Sequence, residues 1–114
     1  MIILTTIAEQ HVIGFFEDRH ADGMLCTFMA TELPASLQAQ LLDLPGFSDQ
    51  AHSSYWLNAA EQEKAGKIFK RLIEEEGSGY RYAKQLQLVY LIELLHYILK
   101  LHQYSSLPLE VSLN

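Results

Sequence analysis

Between residues 86 and 101, twelve of sixteen positions are apolar, and neither Gly nor Pro interrupts the run. The polar exceptions are Gln87, Glu93, His96 and Lys100. At about 100° per residue, the last three fall on one narrow stripe. The pattern predicts a helix over residues 80–103 that is apolar around most of its circumference. A surface helix needs only an apolar strip facing its core. The excess calls for a second cover, which would be a membrane, a partner helix or a ligand.

Nearer the N-terminus the period changes to two. Residues 2–7 (IILTTI) and 11–16 (HVIGFF) read as short strands rich in β-branched and aromatic residues. A polar connection over 17–23 ends in Gly23, and residues 24–30 (MLCTFMA) form a third strand. Its Met24, Cys26, Phe28 and Ala30 share one face, while Leu25, Thr27 and Met29 share the other. Two apolar faces imply cover on both sides. The second and third strands pair antiparallel, and three strands are all the β structure the pattern supports.

Pro34 marks a change of regime. A short helix is expected over 35–42, with Leu37 and Leu41 facing the core four residues apart. Pro45-Gly46 ends that stretch. Residues 47–56 read as an irregular connection, anchored on the core by Trp56, the only tryptophan. Asn58 and Glu61 then have the spacing of a capping box. The helix they open should run over 59–76, with Ala65, Ile68, Phe69, Leu72 and Ile73 as its apolar stripe. Gly77-Ser78-Gly79 ends it, and the organising helix folds back to make an antiparallel hairpin. The fold class is α+β: a small antiparallel sheet followed by a helical hairpin. One domain spans 1–104, and 105–114 is a tail or linker stub.

A chain of 114 residues suits a single domain. Eight basic against fourteen acidic residues give a formal charge of −6, which disfavours direct nucleic-acid contact by this segment. The N-terminus lacks the basic lead of a secretory signal. Glu93, His96 and Lys100 make the long helix a poor membrane span. A cytoplasmic protein without membrane contact is expected, and the single Cys26 reads as a buried free thiol.

Candidate chemistry is sparse. His11 and His20 flank the turn after the second strand, with Glu17 and Asp18 between them; a hairpin there brings His11 and Glu17 near one another, a His-carboxylate pair able to bind a divalent ion. No two histidines have chelating spacing, so no metal site and no cofactor are assigned. His96 and His102 lie on different faces of the long helix. His52 adjoins Ser53-Ser54, but no nucleophile elbow surrounds them. Cys26 has no basic neighbour to lower its pKa. Glu74-Glu75-Glu76 stand at the unfavourable end of a helix for negative charge; they read as a solvated end, with one specific partner as the alternative. No catalytic residues are assigned. The clearest signal is a pair of seams on the long helix: Leu88, Ile92, Leu95 and Leu99, and Leu91, Leu94, Ile98 and Leu101. Either has the spacing of a helix-pairing stripe, so homodimerisation through these residues is expected.

Several runs carry a family pattern: Gly23-Met24-Leu25-Cys26-Thr27-Phe28, Leu33-Pro34, and Leu42-Asp43-Leu44-Pro45-Gly46-Phe47. They continue in Ile68-Phe69-Lys70-Arg71-Leu72-Ile73-Glu74-Glu75-Glu76 and in the leucine-rich stretch 85–100. Taken together they resemble the regulatory domain of AraC-type transcription regulators. The resemblance implies a partial cupin-like barrel followed by dimerising helices. It implies a non-catalytic sensing and dimerisation module, with a small-molecule effector of unassigned identity. Ala8 stands where the family tends to carry a proline. The first barrel strands and the DNA-binding helix-turn-helix have no counterpart, so a truncated form is expected. A stand-alone protein-interaction module and a small cupin-like metal-dependent enzyme are the alternatives.

Overall fold

A computed structural model describes residues 1–17, 23–48 and 52–105. The expected turn over 18–22 and the tail over 106–114 lie outside the described residues. The structure is an α+β fold whose four-stranded antiparallel sheet is followed by a helical hairpin.

β1 (Ile2–Ile7) and β2 (Gln10–Phe16) pair from Ile2↔Phe15 to Ile7↔Gln10. Only Ala8 and Glu9 join them, with φ of 49° and 69°. Positive φ at both positions is the type I′ pattern of a two-residue hairpin, whose twist matches that of the strands. Neither residue is Gly or Asn, so each carries roughly 1 kcal/mol of left-handed strain. β3 (Gly23–Phe28) pairs with β2 and forms one edge. Its inner row, Met24, Cys26 and Phe28, packs on the core, whereas Leu25 is 62% exposed. The expected cover on both faces is therefore corrected: the outer face carries no element among the described residues.

The other edge is β4 (His52–Tyr55), paired with β1 from Ile2↔Tyr55 to Thr5↔His52. A fourth strand corrects the expected irregular connection. His52-Ser53-Ser54-Tyr55 has little intrinsic β preference; the β1 ladder and the inward Ser53 and Tyr55 hold it in place. Trp56 is 77% exposed, so it does not anchor this segment on the core.

Between β3 and β4 come a 3-10 turn (Ala30–Glu32), α1 (Ala35–Leu41) and α2 (Pro45–Ser48). Leu37 and Leu41 are buried as their spacing predicts. Pro45-Gly46 opens α2 instead of ending the preceding stretch, with Pro at a first position where its missing N–H costs nothing. α3 (Ala59–Glu76) starts at the expected box: Asn58 Oδ1 accepts from the Glu61 amide at 2.8 Å, and Glu61 Oε1 accepts from the Asn58 amide at 2.9 Å. Its Ala65, Ile68, Phe69 and Leu72 are buried, and Phe69 stacks on Phe15 of β2. Ile73, the last residue of the predicted stripe, is 46% exposed.

α4 (Ala83–Ser105) returns antiparallel to α3. Gln87 Nε2 donates to the Leu72 carbonyl at 2.9 Å, the Tyr97 hydroxyl donates to the Glu61 carbonyl at 3.3 Å, and Arg71 lies 3.8 Å from Glu93. The Arg71–Glu93 pair is half-exposed and adds little stability. Leu91, Leu94, Leu95 and Ile98 enter the core, while Glu93, His96 and Lys100 face solvent as the narrow polar stripe predicts.

Candidate functional site

The most connected polar group of the core is His11, opposite Thr6 in the β1–β2 ladder. Its ring stacks on Phe47 with centroids 4.0 Å apart and leans on Phe28 at 5.3 Å. Thr6 Oγ1 donates toward the Gly46 and Phe47 carbonyls at 2.8 and 3.1 Å. A hydroxyl has one proton, so at its 2.9 Å contact with His11 Nδ1 it accepts. Neutral His11 is thus the Nδ1–H tautomer. Burial holds its pKa below the ordinary value of 6.5.

That depression sets a pH dependence. The unfolded chain protonates at position 11 near pH 6.5, before the folded chain does. The contribution of neutral His11 is therefore complete above that pH and declines as pH falls toward the folded pKa, by at most about 1.4 kcal/mol per unit. Urea midpoints measured from pH 7.5 to 5 should fall, and His11→Phe should flatten that slope. An unchanged slope in the variant would overturn the assignment.

The other candidates are dispersed. Glu17 lies past the far end of β2 from His11, about 20 Å along the strand, which corrects the expectation that a hairpin brings the two together. Asp18 and His20 lie outside the described residues. Among the described residues no three His, Cys, Asp or Glu side chains are grouped to hold a metal. His102 Nδ1 lies 3.2 Å from the Tyr55 hydroxyl, and His96 is exposed. Ser53 Oγ accepts from the Gly46 amide at 3.1 Å and points inward, whereas His52 and Ser54 are exposed. Burial, reinforced by Glu32 and Glu76, pushes the Cys26 thiol up to about 11, so it is a poor nucleophile. Glu74 and Glu76 are exposed, as a solvated end requires, and Glu75 accepts from the Ser78 hydroxyl at 2.8 Å in the same exposed turn. Every buried polar side chain among the described residues has a partner.

The two seams meet different fates. Leu91, Leu94, Leu95 and Ile98, drawn from both, are at most 5% exposed within their own chain. Leu88, Ile92, Leu99 and Leu101 are partly buried and pack against the same core. On the outward stripe of α4, Val89 is the exposed aliphatic, at 57%. On the sheet, Ile7 and Leu25 are each 62% exposed. Both belong to outward rows of their strands, a placement that alternation alone could not orient. No protein-family model, curated protein or solved structure matches the chain.

Proposed function

We propose that this chain is a non-catalytic sensing and homodimerisation module of a transcription regulator, of the type the AraC-like runs imply. Its cytoplasmic setting and its reliance on a separate DNA-binding part belong to the same reading. The observation that carries it is the contrast between a core whose polar groups are all used internally and a surface that leaves Ile7, Leu25 and Trp56 more than 60% exposed. Such side chains mark an interaction surface when they gather in one patch. The net charge of −6 suits a segment that leaves phosphate contacts to another part.

Sedimentation equilibrium up to roughly 100 µM, the range of a small transient interface, should show a reversible homodimer. A fusion to a DNA-binding domain that acts only when paired should restore operator occupancy. A chain that stays monomeric throughout overturns this reading.

A further inference from the structure

We infer that the chain's own C-terminal segment, residues 107–113, adds to the free edge of β4 as an antiparallel fifth strand. The inference is independent of homodimerisation, which sedimentation reads separately.

The edge is open and unguarded. The sheet order β3-β2-β1-β4 leaves one side of β4 unpaired among the described residues. Alternate backbone N–H and C=O groups along it point away from β1 and need partners. Sheets commonly blunt such an edge with Lys, Pro or a bulge. His52-Ser53-Ser54-Tyr55 has none of these, and its register with β1 runs unbroken. A groove of about 590 Å³ follows this edge. Five consecutive residues, from His52 to Trp56, line it, so it runs along the strand and not over one face. Leu101, His102 and Tyr104 of α4 form its opposite wall.

Where the helix ends selects the occupant. α4 stops at Ser105, just past that wall, and His102 Nδ1 lies 3.2 Å from the Tyr55 hydroxyl. The chain therefore leaves the helix beside the last residue of β4, and running back toward His52 makes it antiparallel. Four residues of β4 span about 13 Å, and seven of the tail reach about 23 Å. The sheet's other edge, β3, borders a groove with Lys84, Gln85 and Leu88 at the opposite end of α4. Roughly 25 Å of helix separates Leu88 from Ser105, so the tail would be spent in reaching it.

The tail also has the pattern of a half-buried strand. Leu107, Leu109, Val111 and Leu113 alternate with Pro108, Glu110, Ser112 and Asn114. β4 alternates likewise, with Ser53 and Tyr55 inward and His52 and Ser54 outward. Paired, the apolar row of the tail meets Tyr55 and Leu101, while Glu110 and Ser112 lie beside His52 and Ser54. Pro108 has no N–H to donate, which suits the start of an edge strand. So short a tether gives an effective concentration of about millimolar, and the chain's own tail outcompetes that of a second copy at micromolar protein.

Backbone amide exchange of the full chain, read by NMR at two concentrations about tenfold apart, tests this. Amides within 109–113 and along the outer edge of β4 should exchange at least about tenfold more slowly than in an open chain, equally at both concentrations. Val111→Pro removes an N–H from the middle of the new strand. It should release the protection in both segments and shift the emission of Trp56, at the groove's mouth, to longer wavelength. Ser112→Ala should change neither, and circular dichroism verifies that both variants fold. Tail amides that exchange at open-chain rates in the wild type overturn the inference, whatever the proline variant does. Protection that grows with concentration overturns the choice of occupant, because it places a second copy's tail on the edge. Protection of β4 that survives Val111→Pro means that something other than the tail covers it, and overturns the inference as well.

Discussion

Gly46→Ala is expected to destabilise the chain by about 3 kcal/mol or more, through overpacking against backbone. The added Cβ would strike the Leu4 carbonyl oxygen and come within 2.9 Å of both the Leu4 carbonyl carbon and the Ser53 amide nitrogen. These are main-chain atoms of β1 and β4, fixed by their mutual ladder, so no flexible side chain can move aside. The same glycine donates its amide to Ser53 Oγ and accepts from Thr6 Oγ1. Displacing it would pull on the Thr6–His11–Phe47 cluster as well. Gly77→Ala is the matched control: nothing lies within 4 Å of its Cβ position, and its φ of −102° suits any residue. Urea denaturation should show a large fall in midpoint for the first variant and little change for the second. Equal midpoints would mean that α2 does not sit in the β1–β4 junction as described.

Gly46 also shows where sequence reasoning stops. A Pro-Gly pair reads as punctuation, and nothing local reveals that the glycine admits another strand's backbone. β4 was hidden for a related reason. His52-Ser53-Ser54-Tyr55 lacks β-branched residues, and what makes it a strand is the ladder to β1, some fifty residues earlier. The Ala8-Glu9 turn carries neither Asn nor Gly, so its positive φ values are imposed by the strands it joins. Where the determinants are local, sequence and structure agree. The Asn58–Glu61 box and the apolar stripe after it place α3 at 59–76, the span observed. β1 is likewise observed over the predicted residues 2–7.

Periodicity without contrast is the harder case. β3 offers two apolar rows, and the β2 register sends Met24, Cys26 and Phe28 inward and Leu25 outward. α4 offers apolar residues on nearly every side. Its spacing cannot distinguish a stripe facing its own sheet from one facing a twin. Only the polar stripe of Glu93, His96 and Lys100 was informative, and it marks the side that faces water.

Leu95→Glu and Leu94→Glu are therefore expected to unfold the chain, not to dissociate a folded dimer. Both leucines are fully buried, in a core that also holds Phe15 and Phe69. Leu95→Ala alone should cost about 2–5 kcal/mol, from lost transfer energy and the cavity left behind. A carboxylate adds the penalty of an unpaired buried charge, several kcal/mol more unless it takes up a proton. A domain of this size typically has about 5–15 kcal/mol in all, so the Glu variants should lose helical circular dichroism and cooperative melting at neutral pH. Partial recovery near pH 5 would fit protonation of the new carboxyl, whereas the outward Val89→Glu should melt like the wild type. A Leu95→Glu chain that melts normally as a monomer would place residue 95 on an intermolecular seam. It would also return the helix pair to the position from which the burial of Leu91, Leu94, Leu95 and Ile98 removes it.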